Sequence, residues 1–382
     1  MKYDYIIGGA GLAGLTLAWQ MIENKLLDNK QLLLIDADKK ESNDRTWSFW
    51  SEPKMWITQL PIRNSWDAAI VKGQDFDLSQ SLSPYRYYNI RGIDYYQFII
   101  NKLNMHPQVT LIQDVIKSED ETKKCVKTEE TIFYYESYFF KSYFFPDELM
   151  LMTEGAKNFI WQHFYGWKIR TNEELFNPNE ITYMDMQIPE VQGGLSFAYI
   201  LPNTKNEALV EYTLFSADLW KKADYEKALK DYIHQNLGLS QYEIMEEEFN
   251  KIPMTTEIFA KRNKSIIPIG TLAGTVKPST GYSFVRNFNH VQQIINALKH
   301  KTDNFELKSS KRFKFYDEVL LNVLITEKSS GHKVFGNLYK NNKLPILLKF
   351  LNEDTNLWEE IKIMNTVPKW SFIKAVAEEL TS

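Results

Sequence analysis

The sequence predicts an α/β fold: a parallel, doubly wound sheet at the N-terminus, a second and antiparallel sheet in mid-chain, and a helical C-terminal part. Residues 3–8, 12–21 and 31–35 read as strand, helix and strand, and the second strand is continuous and apolar as buried parallel strands are. Such a βαβ unit opens a doubly wound sheet. Residues 183–186, 195–201 and 208–214 then read as strands with no helical pattern between them, which suits an antiparallel sheet. From Phe313 onward the apolar spacing is helical, broken at Gly331, Pro345 and Pro368.

Between these landmarks, residues 45–83 are rich in Trp, Pro and Asp without a steady period and read as irregular. Residues 92–103 read as a helix, 109–115 and 125–140 as strands, 219–236 as a helix, 266–269 as a short strand and 287–298 as a helix. The run Glu246-Glu247-Glu248 reads as a solvated helix or turn. No internal repeat or low-complexity linker interrupts the chain.

The bulk numbers exclude several classes. A chain of 382 residues can bury a large core. With 45 Lys plus Arg against 49 Asp plus Glu, the net charge of −4 argues against a dedicated nucleic-acid binder. The single cysteine, Cys125, excludes internal disulfides and Cys-built metal sites, and fits a reducing cytoplasm. His106, His163, His234, His290, His300 and His332 show no ligand spacing, so no metal is expected. No apolar window reaches the length of a membrane span, and the first residues do not read as a signal peptide. Aromatic residues make up 14% of the chain, which suits either a pocket for a large flat apolar ligand or ordinary burial.

Gly9-Ala10-Gly11-Leu12-Ala13-Gly14 fits G-x-G-x-x-G between the first strand and the first helix. The first glycine permits the tight turn, the second lets a pyrophosphate approach the backbone, and the third packs helix on strand. The positive end of the helix faces the phosphates. Asp36 ends the second strand, 22 residues after Gly14, where a carboxylate binds a ribose hydroxyl. An acid there prefers an unphosphorylated ribose, and the N-terminal position together with a later segment at Gly270 favours FAD. The expected division is a first part of an FAD-binding domain over 1–150, a substrate-domain sheet mainly over 151–255, an FAD-binding return segment over 256–300 and a helical region over 301–382.

A resemblance then runs along the chain in order. Asn43-Asp44-Arg45-Thr46-Trp47-Ser48-Phe49-Trp50 resembles a signature of the lycopene cyclases. So do Gln162-His163-Phe164-Tyr165-Gly166-Trp167, Tyr183-Met184-Asp185-Met186, Val210-Glu211-Tyr212-Thr213 and Lys277-Pro278-Ser279-Thr280-Gly281-Tyr282-Ser283. Arg312-Phe313-Lys314-Phe315-Tyr316-Asp317 and Phe350-Leu351-Asn352-Glu353-Asp354-Thr355 resemble the family's C-terminal end. The resemblance implies a Rossmann-like FAD/NAD(P)-binding flavoprotein fold of the p-hydroxybenzoate hydroxylase type. It also implies a lycopene β-cyclase that closes linear carotenoid ends into rings, with FAD acting reduced after reduction by NAD(P)H. The chain departs from the pattern at three points. Met186-Gln187 replaces an aromatic and an arginine, Tyr212 replaces a second acid seen in many relatives, and Thr271 follows Gly270 where the wider flavoprotein class has Asp. Flavin contacts of that last segment are therefore expected from the backbone of Gly270, Thr280, Gly281 and Tyr282.

Ring closure needs a proton delivered to an isolated alkene, so the acid must still be protonated at working pH. A carboxyl in an apolar pocket meets that need because desolvation disfavours its charged form. Glu211, in an apolar strand, is the candidate acid by its place in the resemblance; taken alone it would read as a solvent-facing edge glutamate. Alternation points Glu211, Thr213 and Phe215 to one face and Val210, Tyr212 and Leu214 to the other. Asp185 is a candidate to orient the acid or remove the final proton, with turn capping as the other reading. Arg45 reads as an FAD phosphate contact or as the partner of Asp44. Trp47, Tyr282 and Phe284 are candidate cation–π faces. An apolar substrate implies monotopic contact with the inner membrane from the cytoplasmic side, with 344–350 as the expected patch. The rivals are a redox flavoenzyme, either a monooxygenase or an isoprenoid reductase, and a non-catalytic flavin or carotenoid carrier.

Overall fold

The computed structural model describes residues 2–145, 148–149 and 153–381. The first unit forms as β1 (Lys2–Gly8), α1 (Leu12–Glu23) and β2 (Leu32–Asp36). Residues 45–83 are not irregular. They hold β3 (Thr46–Ser51), β4 (Asn64–Trp66), β5 (Ala68–Gly73) and β6 (Phe76–Ser81). These strands are short and divided by turns, so no window is long enough to display a period. They are stabilised by pairing with distant strands.

The chain continues through β7 (Arg86–Arg91), α2 (Gly92–Asn104), β8 (Val109–Gln113) and β9 (Ile116–Asp120). The strand expected over 125–140 is two, β10 (Cys125–Thr128) and β11 (Ile132–Lys141), turned at Glu129 and Glu130. Next come β12 (Phe159–Arg170), β13 (Glu180–Asp185), β14 (Leu195–Pro202), β15 (Glu207–Ser216) and α3 (Lys222–Gln235). β16 (Glu243–Thr255) contains the glutamate run expected to be a solvated helix or turn. β17 (Ile266–Pro268) and α4 (Phe284–His300) follow. The C-terminal part is α5 (Lys311–Ile325), α6 (Gly331–Asn341), α7 (Leu344–Leu351), α8 (Leu357–Met364) and α9 (Lys369–Thr381).

Three sheets organise these elements. The first runs β8-β2-β1-β11-β10-β9, and β17 also pairs with β11. Its β8, β2, β1, β11 and β17 are parallel. The second runs β16-β12-β15-β14-β13-β5-β6, and the third β3-β7-β4. β5 and β6 thus leave the N-terminal stretch to extend the second sheet, while β17 brings the chain back to the first. The two large sheets are interleaved in sequence.

Burial follows the apolar patterns. Trp19 of α1, Tyr95 and Ile99 of α2, and Val291 and Ile294 of α4 share one core with Ile7 and Leu34 of the first sheet. One face of the second sheet presents Val210, Tyr212 and Leu214 to Tyr225, Leu229 and Tyr232 of α3. On its other face Phe197 and Phe215 pack with Val319 of α5, Phe335 of α6 and Leu347 of α7. Leu344, Leu347 and Leu348 are buried there, so α7 does not supply the apolar surface patch expected at 344–350. Instead the exposed apolar side chains include Leu357, Trp358 and Ile361 of α8, and Trp370 and Ile373 of α9. Among the described residues no helix is long and apolar enough to cross a membrane.

Candidate active site

The glycine turn has the shape a dinucleotide needs. Gly9 has φ +98°, in the left-handed region, where a Cβ would in addition run into Ser142 Oγ. A Cβ on Gly14 would overlap the carbonyl oxygen of Gly9, so α1 can approach β1 only through a glycine. A Cβ on Gly11 would meet nothing within 4 Å, which leaves open space over the start of α1. Asp36 closes the turn by accepting from Ala10 N–H at 2.5 Å and from Asp38 N–H at 2.7 Å. A carboxylate has further lone-pair capacity for a ribose hydroxyl. These residues fit an FAD pyrophosphate and ribose.

The return segment meets this cradle. After β17 the short 3-10 turn Gly270–Ala273 packs on α1, and a Cβ on Gly270 would stand 3.0 Å from that of Ala13. The loop from Lys277 to Tyr282 folds on itself: Lys277 O accepts from Thr280 N–H at 3.1 Å and Gly281 N–H at 2.8 Å. Its anchor is the buried Lys277 ammonium, which reaches Asp317 of α5 at 2.6 Å and Glu353, just beyond α7, at 3.0 Å. The C-terminal motifs around Asp317 and Glu353 thus hold the loop in place. Gly281 has φ +71°, and any Cβ there would overlap Gln162 Oε1, a buried acceptor without a partner.

Between this loop, β3 and the open face of the second sheet lies a cavity of about 210 Å³. Arg45, Trp47, Thr271, Thr280, Gly281 and Tyr282 line it from the flavoprotein side, and Glu211, Thr213 and Phe215 line it from β15. Glu211 reaches the cavity by alternation: Val210 and Tyr212 face α3, so Glu211 faces the opposite way. The side chain is buried, 7% exposed, and accepts no hydrogen bond among the described residues. Burial holds its carboxyl well above the usual carboxylate range, and the nearby Glu248 pushes it further. Both effects favour the neutral acid over the carboxylate.

Glu248 is the residue that sequence reasoning missed. It lies on β16, on the far side of β12 from Glu211, and both are in register with Gly166. It is buried and accepts from Thr46 N–H at 2.7 Å and Thr46 Oγ1–H at 2.8 Å. The solvated reading holds for one side of the run: Glu247 points to the α3 side, where Tyr165 and Lys222 bind it. The available signal was the period of two through Glu246, Glu248, Asn250 and Ile252, of which Asn250 and Ile252 also line the cavity.

The structure does not bring Asp185 into the site. Its cross-strand neighbour is Ala198, whose next partner is Tyr212, so all three share the face turned away from Glu211. There Asp185 accepts from Tyr232 at 2.9 Å and from Gln187 N–H at 3.0 Å, with Lys72 at 3.4 Å. It caps the end of β13 and ties the sheet to α3. Arg45 lies at the cavity edge with its guanidinium on Asp44 at 2.7–2.9 Å, and Asp44 also accepts from Tyr96.

Aromatic side chains cover the remaining wall. Phe284 stacks on Phe49 with ring centres 4.4 Å apart, and Trp47 stands edge-on to Tyr95 at 5.2 Å. Tyr199 donates to Tyr87 at 2.6 Å, and the Tyr87 and Tyr282 hydroxyls lie 2.5 Å apart. Burial pushes all three phenols far up, so they line the cavity as neutral hydroxyls.

A family model described as lycopene cyclase protein matches residues 4–377. Lycopene beta cyclases of Capsicum annuum and Solanum lycopersicum are each 23% identical over 313 residues, 77% of this chain and 60% of theirs. The chain therefore spans about 60% of the length of these relatives. Among solved structures, a flavoprotein/dehydrogenase from Cytophaga hutchinsonii aligns with TM-score 0.66 at 8% identity, over 99% of this chain and 100% of its own. A geranylgeranyl bacteriochlorophyll reductase-like protein from Thermoplasma acidophilum aligns with TM-score 0.57 at 13% identity, over 99% and 96%. The flavin-dependent brominase Bmp2 aligns with TM-score 0.60 at 12% identity, over 95% and 92%. These likenesses show the fold, a Rossmann-like FAD/NAD(P)-binding flavoprotein fold.

Proposed function

The chain belongs to the lycopene cyclase family, and we propose that it closes the linear ψ ends of lycopene into β-ionone rings by acid-initiated cyclisation without net redox change. The observation that carries this reading is Glu211, a buried carboxyl in an aromatic cavity beside the flavoprotein loops, with no hydrogen-bond partner among the described residues and with burial favouring its protonated form.

Gly9, Gly11, Gly14 and Asp36 would hold the pyrophosphate and ribose of FAD, and the backbone of Gly270, Thr280, Gly281 and Tyr282 would contact the cofactor from the return segment. FAD held there and reduced by NAD(P)H would supply negative charge that stabilises a developing cation. Glu211 gives its proton to the terminal alkene, and the tertiary cation that results is attacked by the neighbouring double bond. Loss of a ring proton completes the product, so substrate and product have equal mass. The faces of Trp47, Tyr282 and Phe284 stabilise the cation by about 1–2 kcal/mol each, and the aromatic wall keeps water from quenching it. Asp185 contributes by holding β13 to α3, not by contact with substrate.

Lycopene resides in the bilayer, so contact with the cytoplasmic surface of the inner membrane belongs to the same proposal. Trp358 and Trp370 are 76% and 78% exposed on successive helices that also expose Lys362, Lys369 and Lys374. Exposed aromatic and basic side chains together suit an anionic lipid surface.

The test is expression in a lycopene-accumulating host. The expected result is cyclic carotenoid of unchanged mass from the wild type and none from Glu211→Gln, with FAD retained in both. Added oxygen or hydrogen in the product would establish a redox enzyme instead, and untouched lycopene a carrier.

A further inference from the structure

Glu211 and Glu248 sit on the two strands that flank β12, each paired in register with Gly166. A Cβ on Gly166 would stand 2.6 Å from Glu211 Cγ and 3.4 Å from its Oε1, so the acid lies across the glycine toward Glu248. Two buried carboxyls so placed raise the cost of ionising both, and Glu248 is felt at Glu211. Their surroundings break the symmetry. Glu248 accepts from Thr46 N–H and Thr46 Oγ1–H, whereas Glu211 accepts from no described residue. Burial raises Glu248 as well, but the Thr46 hydrogen bonds and the Arg45 charge pull against that rise, whereas no described residue opposes it at Glu211.

We propose that Glu248 is a positioning residue for the acid: clamped as a carboxylate by Thr46, it keeps the proton on Glu211 and draws it back after each ring closure. The proposal rests on Glu211 being the acid. Gly166 is the gap over which Glu211 extends toward the strand of Glu248. The repulsion makes Glu211 a weaker donor but a better-stocked one, because two neighbouring anions remain once its proton has left. That arrangement favours recapture of the proton released from the ring, which balances the cycle: one proton leaves Glu211, and one returns to it.

The other charges around the pair come from several elements. Arg45 and Asp44 precede β3 and offset each other at 2.7 Å. Arg91 of β7 and Lys168 of β12 both bind Glu246 of β16, at 3.4 and 3.2 Å. Arg63 lies beside Glu248, Lys251 of β16 borders the cavity, and the neutral Tyr199 phenol faces Glu211 from β14. Arg45, Arg91 and Lys168 are thus each held on another carboxylate, and among the described residues Glu248 is the carboxylate that the register sets across Gly166 from Glu211.

The experiment is the pH profile of cyclisation by the FAD-loaded chain, flavin kept reduced, on liposomes containing lycopene. In Glu248→Gln the upper limb moves down by a pH unit or more, about a tenfold loss on that limb, while the rate on the acid plateau does not fall. Glu248→Asp, which keeps the charge, restores the limb to the wild-type side. An unmoved limb, or a uniform loss at every pH, overturns the proposal, the latter because a merely structural role lowers all points together. If Glu248→Gln fails to hold flavin, the infrared carboxyl stretch of the wild type decides. A protonated buried carboxyl at neutral pH that disappears in Glu211→Gln is expected, and its absence from the wild type refutes the proposal. Absence of cyclic product from the wild type at any pH would instead sink the cyclase reading itself.

Discussion

Gly166→Ala tests the acid's placement with the smallest possible change. The new methyl would stand 2.6 Å from Glu211 Cγ, where ordinary contacts begin near 3.4 Å, so the glutamate must give way by most of an ångström. Overpacking of this kind costs about 1–3 kcal/mol, and the lower backbone entropy of alanine in a strand returns about 0.5–1 kcal/mol. The net destabilisation is therefore about 0–2.5 kcal/mol, less than the roughly 5–15 kcal/mol of a typical folded domain. Catalysis responds more steeply, since displacing a reacting group by about 1 Å costs on the order of 100-fold. The assay is the turnover of lycopene in liposomes, with flavin content read by absorbance and folding by circular dichroism. A variant that is folded and loaded but about 100-fold slower is expected. If it turns over within threefold of wild type, Glu211 is not held across Gly166 as the proton donor.

Other perturbations separate the remaining roles. Gly11→Ala should weaken FAD binding at least tenfold without lowering the melting temperature of the cofactor-free chain, because its Cβ meets no protein atom; Gly14→Ala, whose Cβ overlaps the Gly9 carbonyl, should lose both. Flavin fluorescence titration reads the difference, and normal affinity in Gly11→Ala would remove the pyrophosphate from this turn. His163 is buried between Tyr225 and Ser216, and burial lowers its pKa to about 4. Its neutral form is needed in the fold, so its contribution is complete above about pH 6.5 and is lost as pH falls toward 4, reaching about 2 kcal/mol at pH 5. Urea unfolding at pH 7 and pH 5 should show that much less acid sensitivity in His163→Gln, and equal sensitivity would contradict the neutral buried imidazole. Trp358→Ser with Trp370→Ser should reduce co-sedimentation with anionic liposomes while leaving the melting temperature in place; undiminished binding would move the membrane face elsewhere.

Local chemistry was readable along the chain. The spacing of Gly9, Gly11 and Gly14 before α1, with Asp36 at the end of β2, follows from what one turn and one helix end can accommodate, to which Ser142 only adds at Gly9. The residues that share a face with Glu211 were equally accessible, because alternation in a strand is a property of the backbone, whereas which face is buried was not. The strands of residues 45–83 were not, since three to six residues cannot show a period and their stability comes from partners elsewhere in sequence. Asp185 illustrates the same limit: its motif marked it as a site residue, while the register of β13 against β14 turned it to the face of α3. Glu248 is the clearest case. A glutamate beside two others reads as solvated because an unpaired buried charge is costly. Only the pairing of β16 with β12 places it across Gly166 from Glu211 and beside Thr46, where hydrogen bonds offset that cost. The sequence by itself determined that a dinucleotide cradle stands at the N-terminus and that Glu211 shares one face of its strand with Thr213 and Phe215. Tertiary structure decided which second carboxyl it meets, because neighbours across a sheet are set by register and by what burial will tolerate, and neither is encoded within a single strand.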